Sequence, residues 1–421
     1  MKKILSVLLA TLMLLSLTVV FASCSDDKDA VGMSESPLPI PEASTEVEVP
    51  EDFKIGFICL HDENSTYDKN FIDAANRMKA ALKLTDEQFV IKTNIPESNE
   101  CYNTAKDLAA GGCDIVFANS FGHEDFIIQA AKEYPDVEFC HATGTKAHTE
   151  KLDNYHNAFA SIYQGRYLAG IAAGMKLNEM IEAEEITAEE AVIGYVGAFS
   201  YAEVKSGFTS FFLGARSVCE TATMKVQYTG SWYDEALEQE AANALLADGC
   251  VLISQHADSM GAPSACEVAG VPNVSYNGST YDACPETFIV SSAINWTPYY
   301  VYIAEQVIKG EAIAADWCGG IKEGSVVLTG INQDVAAAGT VDAIKEAIEK
   351  FKAGTLNVFD TSKFTVKGAA LTTYLADVDT DAAFAPDTEV IKDGYFHESE
   401  YRSAPCFDLI IDGITELNQK F

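Results

Sequence analysis

Short apolar runs alternate with amphipathic stretches between residues 53 and 295, and this alternation constrains the fold more than any other feature. The first half carries five apolar runs, FKIGFICL, QFVIKTNI, CDIVFANS, EFCHATG and HNAFASIY. The second half carries AVIGYVGAF, MKVQYTGSW, CVLISQHAD, PNVSYNGS and TFIVSSAIN, again with helical stretches between them. Strands that alternate with helices at this spacing form parallel sheets that helices cover on both faces. The sequence therefore predicts an α/β protein with two doubly wound parallel-sheet lobes.

Crossover segments are expected to join the two lobes. The stretch YQGRYLAGIAAGMKLNE begins at Tyr163 and would carry the chain from lobe one, residues 53–165, to lobe two, residues 166–295. The stretch WTPYYVYIAEQVIKGE opens the way back, so residues 296–364 are assigned to a return crossover and the remainder of lobe one. We expect the acidic C-terminal segment, residues 365–421, to pack on lobe one.

The N-terminal sequence predicts export and lipid anchoring. Residues 1–23 combine two lysines with a long apolar run and small residues, as secretory signal peptides do. Ala22-Ser23-Cys24 is typical of a lipobox, so Cys24 is expected to be acylated and to hold the protein at the outer face of the cell membrane or in the periplasm. A plain secreted protein is the alternative. Residues 24–52 are acidic and rich in Pro and Ser, which predicts a disordered tether.

The net charge of the chain limits the classes of partner that it can bind. The formal net charge of −35 argues against nucleic acid and against an anionic membrane surface, and it favours a neutral or cationic ligand.

Apart from Cys24, most of the 11 cysteines lie in or beside apolar runs and none forms a CxxC pair. We therefore expect buried free thiols, although one or two disulfides remain possible.

Polar and aromatic residues follow the predicted strands of both lobes. In lobe one these are the stretches HDENSTYDKNF, NSFGHED and HATG. In lobe two they are Ser231-Trp232-Tyr233, His256 to Ser259, Asn277 and Asn295-Trp296. Ligands of open α/β sheets bind beyond the carboxyl ends of the strands. The sequence thus predicts a cleft between two lobes that closes over a small molecule.

Several of these stretches, in their order and spacing from about Lys54 to Phe359, resemble the basic membrane protein family. They are DENSTYDKNF, FGHEDFIIQAAKEYPDVEF, YQGRYLAGIAAGM, IGYVGAF, VQYTGSWYDE and GGIKEGSVVL. The family comprises substrate-binding lipoproteins of ABC importers for purines and nucleosides. The resemblance implies a type I periplasmic-binding-protein fold, a purine base or nucleoside as ligand and an ABC permease as partner. The stretches ANSFG, PDVEFCHATG, GSWYD, SQHADS and NWTPYY are most similar to the branch that takes free purine bases.

The chain also departs from the family pattern. NGSTYD stands where nucleoside-binding members carry an aspartate-glutamine pair, and Asn295-Trp296 occupy the region of a family lysine. These losses weaken the nucleoside interpretation, because such groups hold ribose. Ser65-Thr66-Tyr67 stand where the purine-base branch tends to have a tryptophan. Base, nucleoside and another flat heterocycle therefore remain open as ligands.

The candidate ligand site follows from the chemistry of a purine, which has two apolar faces and a rim of donors and acceptors. Stacking on the faces is assigned to aromatic residues, and hydrogen bonding at the rim to carboxyl, amide and hydroxyl side chains. The stacking candidates are Trp232 and Trp296, with Tyr67, Phe71 or Phe121 on the opposite lobe. The rim candidates are Asp62, Ser120, Asp258, Asn277 and Asn295. Each also has a structural explanation: a tryptophan packed on a helix, Asp258 as a helix cap, or Asn277 as a turn residue.

Other functions have weaker support in the sequence. A ligand-sensing receptor lipoprotein has the same physical requirements as a transport protein. His61, His123, His141 and His256 fall near strand ends and suggest a zinc site, but without HxH or HxxxH spacing. No GxSxG elbow supports a hydrolase. We predict a monomer that is not an enzyme and uses no metal or cofactor.

Overall fold

The computed structural model describes residues 32–378, 383 and 385–418. The predicted signal peptide and Cys24 lie outside these residues. Residues from Met33 onward belong to one compact unit. Within the described part of the chain, no helix combines the length and apolarity needed to cross a membrane.

Lobe one contains a six-stranded parallel sheet with the order β11-β5-β4-β3-β1-β2. Its strands are β1 Ile55–Ile58, β2 Phe89–Lys92, β3 Ile115–Ala118, β4 Glu138–Ala142, β5 Tyr155–Ala160 and β11 Asp316–Gly319. Its helices are α1 Thr66–Leu82, α2 Asn99–Ala110, α3 Glu124–Glu133, α4 Ala147–Glu150 and α9 Thr297–Lys309. The inner strands β1, β3 and β5 are buried along their whole length, as strands covered on both faces must be.

Lobe two contains a seven-stranded sheet with the order β12-β10-β9-β8-β6-β7-β19, parallel except for the β10–β12 pair. Its strands are β6 Val192–Gly197, β7 Thr223–Tyr228, β8 Leu252–His256, β9 Asn273–Tyr276, β10 Phe288–Ile294, β12 Val326–Leu328 and β19 Ile414–Glu416. Its helices are α5 Tyr163–Glu182, α6 Ala202–Arg216, α7 Glu235–Ala247, α8 Gly261–Ala269 and α10 Thr340–Ala353. The predicted α/β fold class is confirmed, and each of the ten apolar runs contains one strand.

Helix caps fix where the chain turns at the strand ends. The Ser65 side chain accepts a hydrogen bond from the Asp68 backbone N–H and starts α1 shortly after β1. Asp234 caps α7 in the same way, through the Leu237 N–H. Because these helices begin next to the carboxyl ends of their strands, residues in their first turns face the gap between the lobes.

The return path differs from the expected one. Helix α9 packs on α1 of lobe one, and β11 joins the lobe-one sheet, as a return crossover should. The chain then crosses again, because β12 pairs with β10 of lobe two. Assignment of residues 296–364 to the crossover and lobe one is therefore incomplete.

Both chain ends depart from expectation as well. Residues 33–38, expected in a disordered tether up to Asp52, bind beside β12: Ser34 N donates to Ile331 O over 2.8 Å and Leu328 N donates to Leu38 O over 2.9 Å. The C-terminal segment, expected on lobe one, ends as β19 in the lobe-two sheet, beside β7. In both cases backbone hydrogen bonds to a strand or its flanking loop hold a segment that is poor in long apolar runs.

Three short two-stranded ribbons lie among the described residues of the C-terminal segment. They are β13 Thr365–Val366 with β14 Ala369–Ala370, β15 Leu375–Ala376 with β16 Thr388–Glu389, and β17 Ile391–Lys392 with β18 Tyr395–Phe396. An aromatic cluster anchors them, in which Phe359 stacks on Phe407 with ring centroids 4.6 Å apart.

Candidate functional site

A small pocket lies between the carboxyl ends of the strands of the two lobes. Its empty space, counted together with the open solvent at its mouth, is about 350 Å³. Lobe one contributes Leu60, Tyr67, Asp68, Ser120, Phe121 and Thr143, and lobe two contributes Glu203, Trp232, His256 and Asp258. The pocket therefore joins three aromatic rings to three carboxyl groups.

The first turn of α1 forms one wall of the pocket. Tyr67 donates its hydroxyl hydrogen to Asn119 O over 2.7 Å, which fixes the phenol ring. The carboxyl of Asp68 accepts from Asn119 Nδ2 at 2.7 Å and from the His61 backbone N–H at 3.1 Å. Burial opposes ionisation of Asp68 most strongly, but hydrogen bonds from His61, Asn119 and Ser65 together lower its pKa. Asp68 is thus a buried negative charge at the pocket.

The loop after β3 forms a second part of the lobe-one wall. Glu97 holds this loop by accepting from Ser120 Oγ at 2.6 Å and from the Gly122 N–H at 2.7 Å. Phe121 is 39% exposed, and its ring centroid lies 5.2 Å from that of Tyr201, which follows β6 in lobe two. The two rings meet across the mouth of the pocket.

The lobe-two wall consists of two neighbouring loops. Asp258 donates its backbone N–H to Trp232 O over 3.0 Å, which joins the loop after β8 to the loop after β7. The Trp232 ring packs edge-on against Phe199 at 5.0 Å. His256 places Nε2 3.5 Å from the Glu203 carboxylate. An indole, an imidazole and two carboxyl groups thus share this wall.

Asp258 is the most perturbed carboxyl group of the pocket. It is 5% exposed, and its pKa is raised well above its ordinary value by burial and then by the nearby charges of Glu238, Asp68 and Glu203. Glu238 on α7 holds the adjoining residue by accepting from the Ser259 N–H at 3.2 Å. A ligand N–H or a positive charge beside Asp258 would offset the free-energy cost of ionising this buried carboxyl group.

Several buried polar atoms at or beside the pocket have no hydrogen-bond partner among the described residues. Thr143 lines the pocket and is 3% exposed, yet its Oγ1 is unpartnered. Asn277 is 2% exposed, and its side chain hydrogen-bonds Asp258 and so opposes the rise in the pKa of that group. Buried polar groups normally have partners, so Thr143 Oγ1 marks a point of the pocket wall where a polar ligand can complete a hydrogen bond.

Direct hydrogen bonds hold the two lobes in a closed arrangement. Thr66 of lobe one donates its N–H and its Oγ1 hydrogen to Asp258 O of lobe two, over 3.0 and 3.1 Å. Asn70 Nδ2 donates to Asn277 Oδ1 over 3.1 Å. All three bonds join α1 to loops that follow lobe-two strands, so opening the lobes breaks them.

The structure brings half of the sequence-predicted site residues together in the pocket. Tyr67, Ser120, Phe121, Trp232 and Asp258 all line it. Asn277 lies just outside, in the interlobe bond with Asn70, and its φ of +64° matches its expected role in a turn. The other four lie elsewhere, each for an identifiable reason.

Packing and local hydrogen bonds place those four residues away from the pocket. Trp296 is 1% exposed and stacks on Phe71, which is equally buried in the core. Asn295 accepts from Arg77 over 3.2 Å and donates to Gly324 O over 2.9 Å, so it braces the crossover segments. Asp62 accepts from the backbone and side chain of Asn64, which makes it a turn residue.

Five further residues line the pocket without being in the predicted set. They are Leu60, Asp68, Thr143, Glu203 and His256. His256 and Thr143 stand at the ends of the predicted strands, which is the signal that could have selected them. Asp68 and Glu203 lie in the first turns of α1 and α6, where a pattern based on strand ends does not select them.

A larger and more open space of about 1,820 Å³ lies between the crossover segments and the C-terminal segment. Its lining includes Tyr163, Cys318 and Arg402. We favour the smaller pocket as the ligand site, because strand ends of both lobes form it and buried polar atoms without partners lie beside it.

The four histidines considered for zinc have separate partners. His123 Nε2 lies 2.9 Å from Ile95 O, and His141 Nε2 lies 2.7 Å from Ser120 O. His61 pairs with Asp68 and His256 with Glu203. Among the described residues, no group of three or more His, Cys, Asp or Glu side chains is placed to hold a metal ion.

Two α/β lobes that close on a small pocket at the ends of their strands define a hinged binding protein for small molecules. Residues 58–358 match the family model described as Bmp, ABC transporter substrate-binding protein, PnrA-like. The chain therefore belongs to the Bmp family of ABC transporter substrate-binding proteins. This family is one of solute-binding proteins and not of enzymes, in agreement with the resemblance seen in the sequence.

Two curated relatives and one solved structure illustrate the similarity. The chain is 31% identical over 315 residues to a purine-binding protein of Brucella abortus, covering 73% of this chain and 83% of the relative. It is 34% identical over 252 residues to a putative ABC transporter glucose-binding protein of Haloferax volcanii, covering 59% of this chain and 61% of the relative. An ABC transporter solute-binding protein from Conexibacter woesei aligns with a TM-score of 0.57 and 23% identity, over 72% of this chain and 98% of that one. The last confirms the type I periplasmic-binding-protein fold.

Proposed function

We propose that this protein captures a purine base in the interlobe pocket and delivers it to an ABC permease. The observation that carries the proposal is the meeting of Trp232 and Asp258 in one closed pocket with Tyr67 and Phe121. The aromatic rings supply apolar faces for a flat heterocycle, and the carboxyl group supplies an acceptor for its rim.

The energetics favour a flat ligand with several N–H donors. Stacking of a base on an aromatic side chain contributes about 1–3 kcal/mol. A buried polar group left without a partner costs about 1–3 kcal/mol, so the buried Asp258 carboxyl favours a ligand whose N–H groups complete its hydrogen bonds. NGSTYD and Asn295-Trp296 stand where nucleoside-binding members of the family carry groups that hold ribose, which favours a base over a nucleoside.

A sugar is the second candidate ligand. One relative is named a putative glucose-binding protein, and carboxyl groups beside aromatic rings also accept hydrogen bonds from hydroxyl groups. A sugar has no flat apolar face comparable to a purine, so Trp232 would contribute less to its binding.

Thermal-shift measurements distinguish these ligands. The purified protein is heated with adenine, guanine, hypoxanthine, guanosine, inosine, glucose or zinc chloride, because a ligand at 100 times its Kd adds about 2.7 kcal/mol of stability. We expect the largest rise in Tm from a purine base, with a smaller rise from its nucleoside. A response to glucose alone favours the sugar, and a response to none of the purines contradicts the proposal.

We propose further that Cys24 carries a lipid anchor that keeps the protein at the outer face of the cell membrane. The lipobox-like Ala22-Ser23-Cys24 supports this. Labelling of the expressed protein with radioactive palmitate tests it. Label is expected on the wild-type chain and absent from Cys24→Ala, whereas equal label on both contradicts the anchor.

A further inference from the structure

The C-terminal strap, residues 359–418, lies beyond the part of the chain that matches the family model, which ends at residue 358. It binds both lobes. On lobe one, Ser403 N donates to Asp316 Oδ2 of β11 over 2.9 Å. On lobe two, β19 extends the sheet beside β7, and Tyr228 donates its hydroxyl hydrogen to Glu416 over 2.6 Å. The strap thus ties the two lobes together outside the ligand pocket.

Two consecutive strap residues bind opposite lobes. Glu398 accepts a hydrogen bond from Ser206 Oγ on α6 of lobe two. Ser399 Oγ lies 3.4 Å from Ser161 Oγ and 3.7 Å from Cys318 Sγ, both on the lobe-one side of the crossover segments. A shift of α6 relative to lobe one must therefore strain this short stretch of strap or break one of its hydrogen bonds.

Ser206 stands directly behind the pocket wall. It follows Glu203, which lines the pocket, by three residues on the same helix, so the two belong to successive turns. The next residue, Gly207, has its backbone against the His256 ring, since a Cβ added there would lie 2.6 Å from His256 Nδ1. The helix turn that Glu398 holds is thus the turn that supports Glu203 and His256.

The Glu398 side chain is a buried carboxyl group of the strap. It is 3% exposed, and burial raises its pKa to about 7 although hydrogen bonds from Ser206 and Ser399 act to lower it. Burial of a carboxyl group costs free energy, which its hydrogen bonds, the one from Ser206 first among them, must offset.

We propose that Glu398 is a positioning residue for the ligand site: through Ser206 it fixes the start of α6, and with it Glu203 and His256, at the spacing that the closed pocket needs. This proposal rests on the proposed function only because the affinity measurement uses a purine base as the ligand. The proposal depends on the hydrogen bond from Ser206. Any side chain at position 398 that accepts this hydrogen bond should therefore keep the pocket in its closed geometry.

Hydrogen–deuterium exchange and ligand affinity together test the proposal. The variants are Ser206→Ala, Glu398→Ala and Glu398→Gln, with Asp393→Asn, an exposed acid in a turn of the strap, as the matched control. We expect exchange at residues 199–206 to rise at least fivefold in Ser206→Ala and Glu398→Ala. We expect Kd for the purine base that most stabilises the wild type to rise at least fivefold in both. Glu398→Gln, which still accepts from Ser206, and Asp393→Asn should stay within twofold of the wild type.

The proposal is overturned if Ser206→Ala and Glu398→Ala both exchange at the wild-type rate at residues 199–206. It is also overturned if both variants bind the purine base with the wild-type Kd. If Glu398→Ala does not fold, Ser206→Ala decides, because it removes one hydroxyl and leaves the strap intact. Failure of Glu398→Gln to restore the wild-type values also overturns it. A wild-type protein that binds no purine base refutes the proposed function instead, and the exchange measurement on the unliganded variants still decides the role of Glu398.

Discussion

Trp296 stacks on Phe71 with ring centroids 4.6 Å apart and an interplanar angle of 24°, in the core between α9 and α1. Both residues are 1% exposed, and Phe117 and Phe159 meet the same indole edge-on. Trp232, by contrast, is half-buried and lines the interlobe pocket. The two tryptophans therefore have separate roles, one in stability and one at the ligand.

Replacing each tryptophan with alanine separates these roles. Trp232→Ala is expected to weaken purine binding by about 1–3 kcal/mol, the size of one stacking contact, with little change in Tm. Trp296→Ala is expected to lower the free energy of unfolding by about 3–5 kcal/mol, because it leaves a large cavity in the core. Calorimetric titration and urea unfolding measure the two effects. The reverse pattern, with affinity lost only in Trp296→Ala, would contradict the site described here.

The hydrogen bond between Asn70 and Asn277 contributes to closure of the lobes. Asn70→Ala removes the donor and is expected to speed ligand dissociation about three- to tenfold, the cost of one net hydrogen bond of about 1 kcal/mol. Asn76→Ala is the matched control, since Asn76 lies on the same helix and donates only within it, to Ile72 O. Stopped-flow measurement of tryptophan fluorescence gives the dissociation rates. Equal rates in the two variants would show that this bond does not hold the lobes closed.

Stability is expected to depend on pH through Glu238. Burial raises its pKa from an ordinary value of 4.5 to about 7, so the folded protein binds the proton more tightly than the unfolded chain. The free energy of unfolding should then fall as pH rises from about 4.5 to about 7, by up to about 3 kcal/mol from this group. Urea unfolding at pH 5 and pH 8 measures the change.

Substitution isolates the contribution of Glu238. Glu238→Gln carries no charge at either pH, so its stability should fall less between pH 5 and pH 8 than that of the wild type. Glu240→Gln, an exposed position on the same helix, should behave as the wild type does. A Glu238→Gln variant with an unchanged pH profile would assign the pH dependence to other groups.

The cysteines are expected to be unreactive in the folded protein. The ten described cysteines are free, and all but the partly exposed Cys318 are buried. Burial raises the pKa of several of these thiols, to about 12 for Cys140 and Cys266, which further lowers their reactivity. Ellman's reagent should therefore label at most one of these ten thiols before unfolding and all of them in urea. A reductant should leave Tm unchanged, and a fall in Tm on reduction would reveal a disulfide.

The sequence alone determined the two α/β lobes and the ten strands β1 to β10. Local patterns carried that information, because strand ends, apolar runs and turn residues are read over a few neighbouring positions. The same patterns selected Tyr67, Ser120, Phe121, Trp232 and Asp258, which stand at or just after strand ends and meet in the pocket.

Only the tertiary structure decided which strand-end residues face the gap and which face the core. Trp296 and Trp232 both follow strands, but α9 turns the first into the core while the loop after β7 leaves the second at the pocket. The tertiary structure also placed β12 and β19 in lobe two, because such short strands have too little apolar pattern to identify their partners. Contacts between residues about 190 positions apart, such as Ser206 with Glu398 and Thr66 with Asp258, depend on how the lobes are arranged and have no signal in the local sequence.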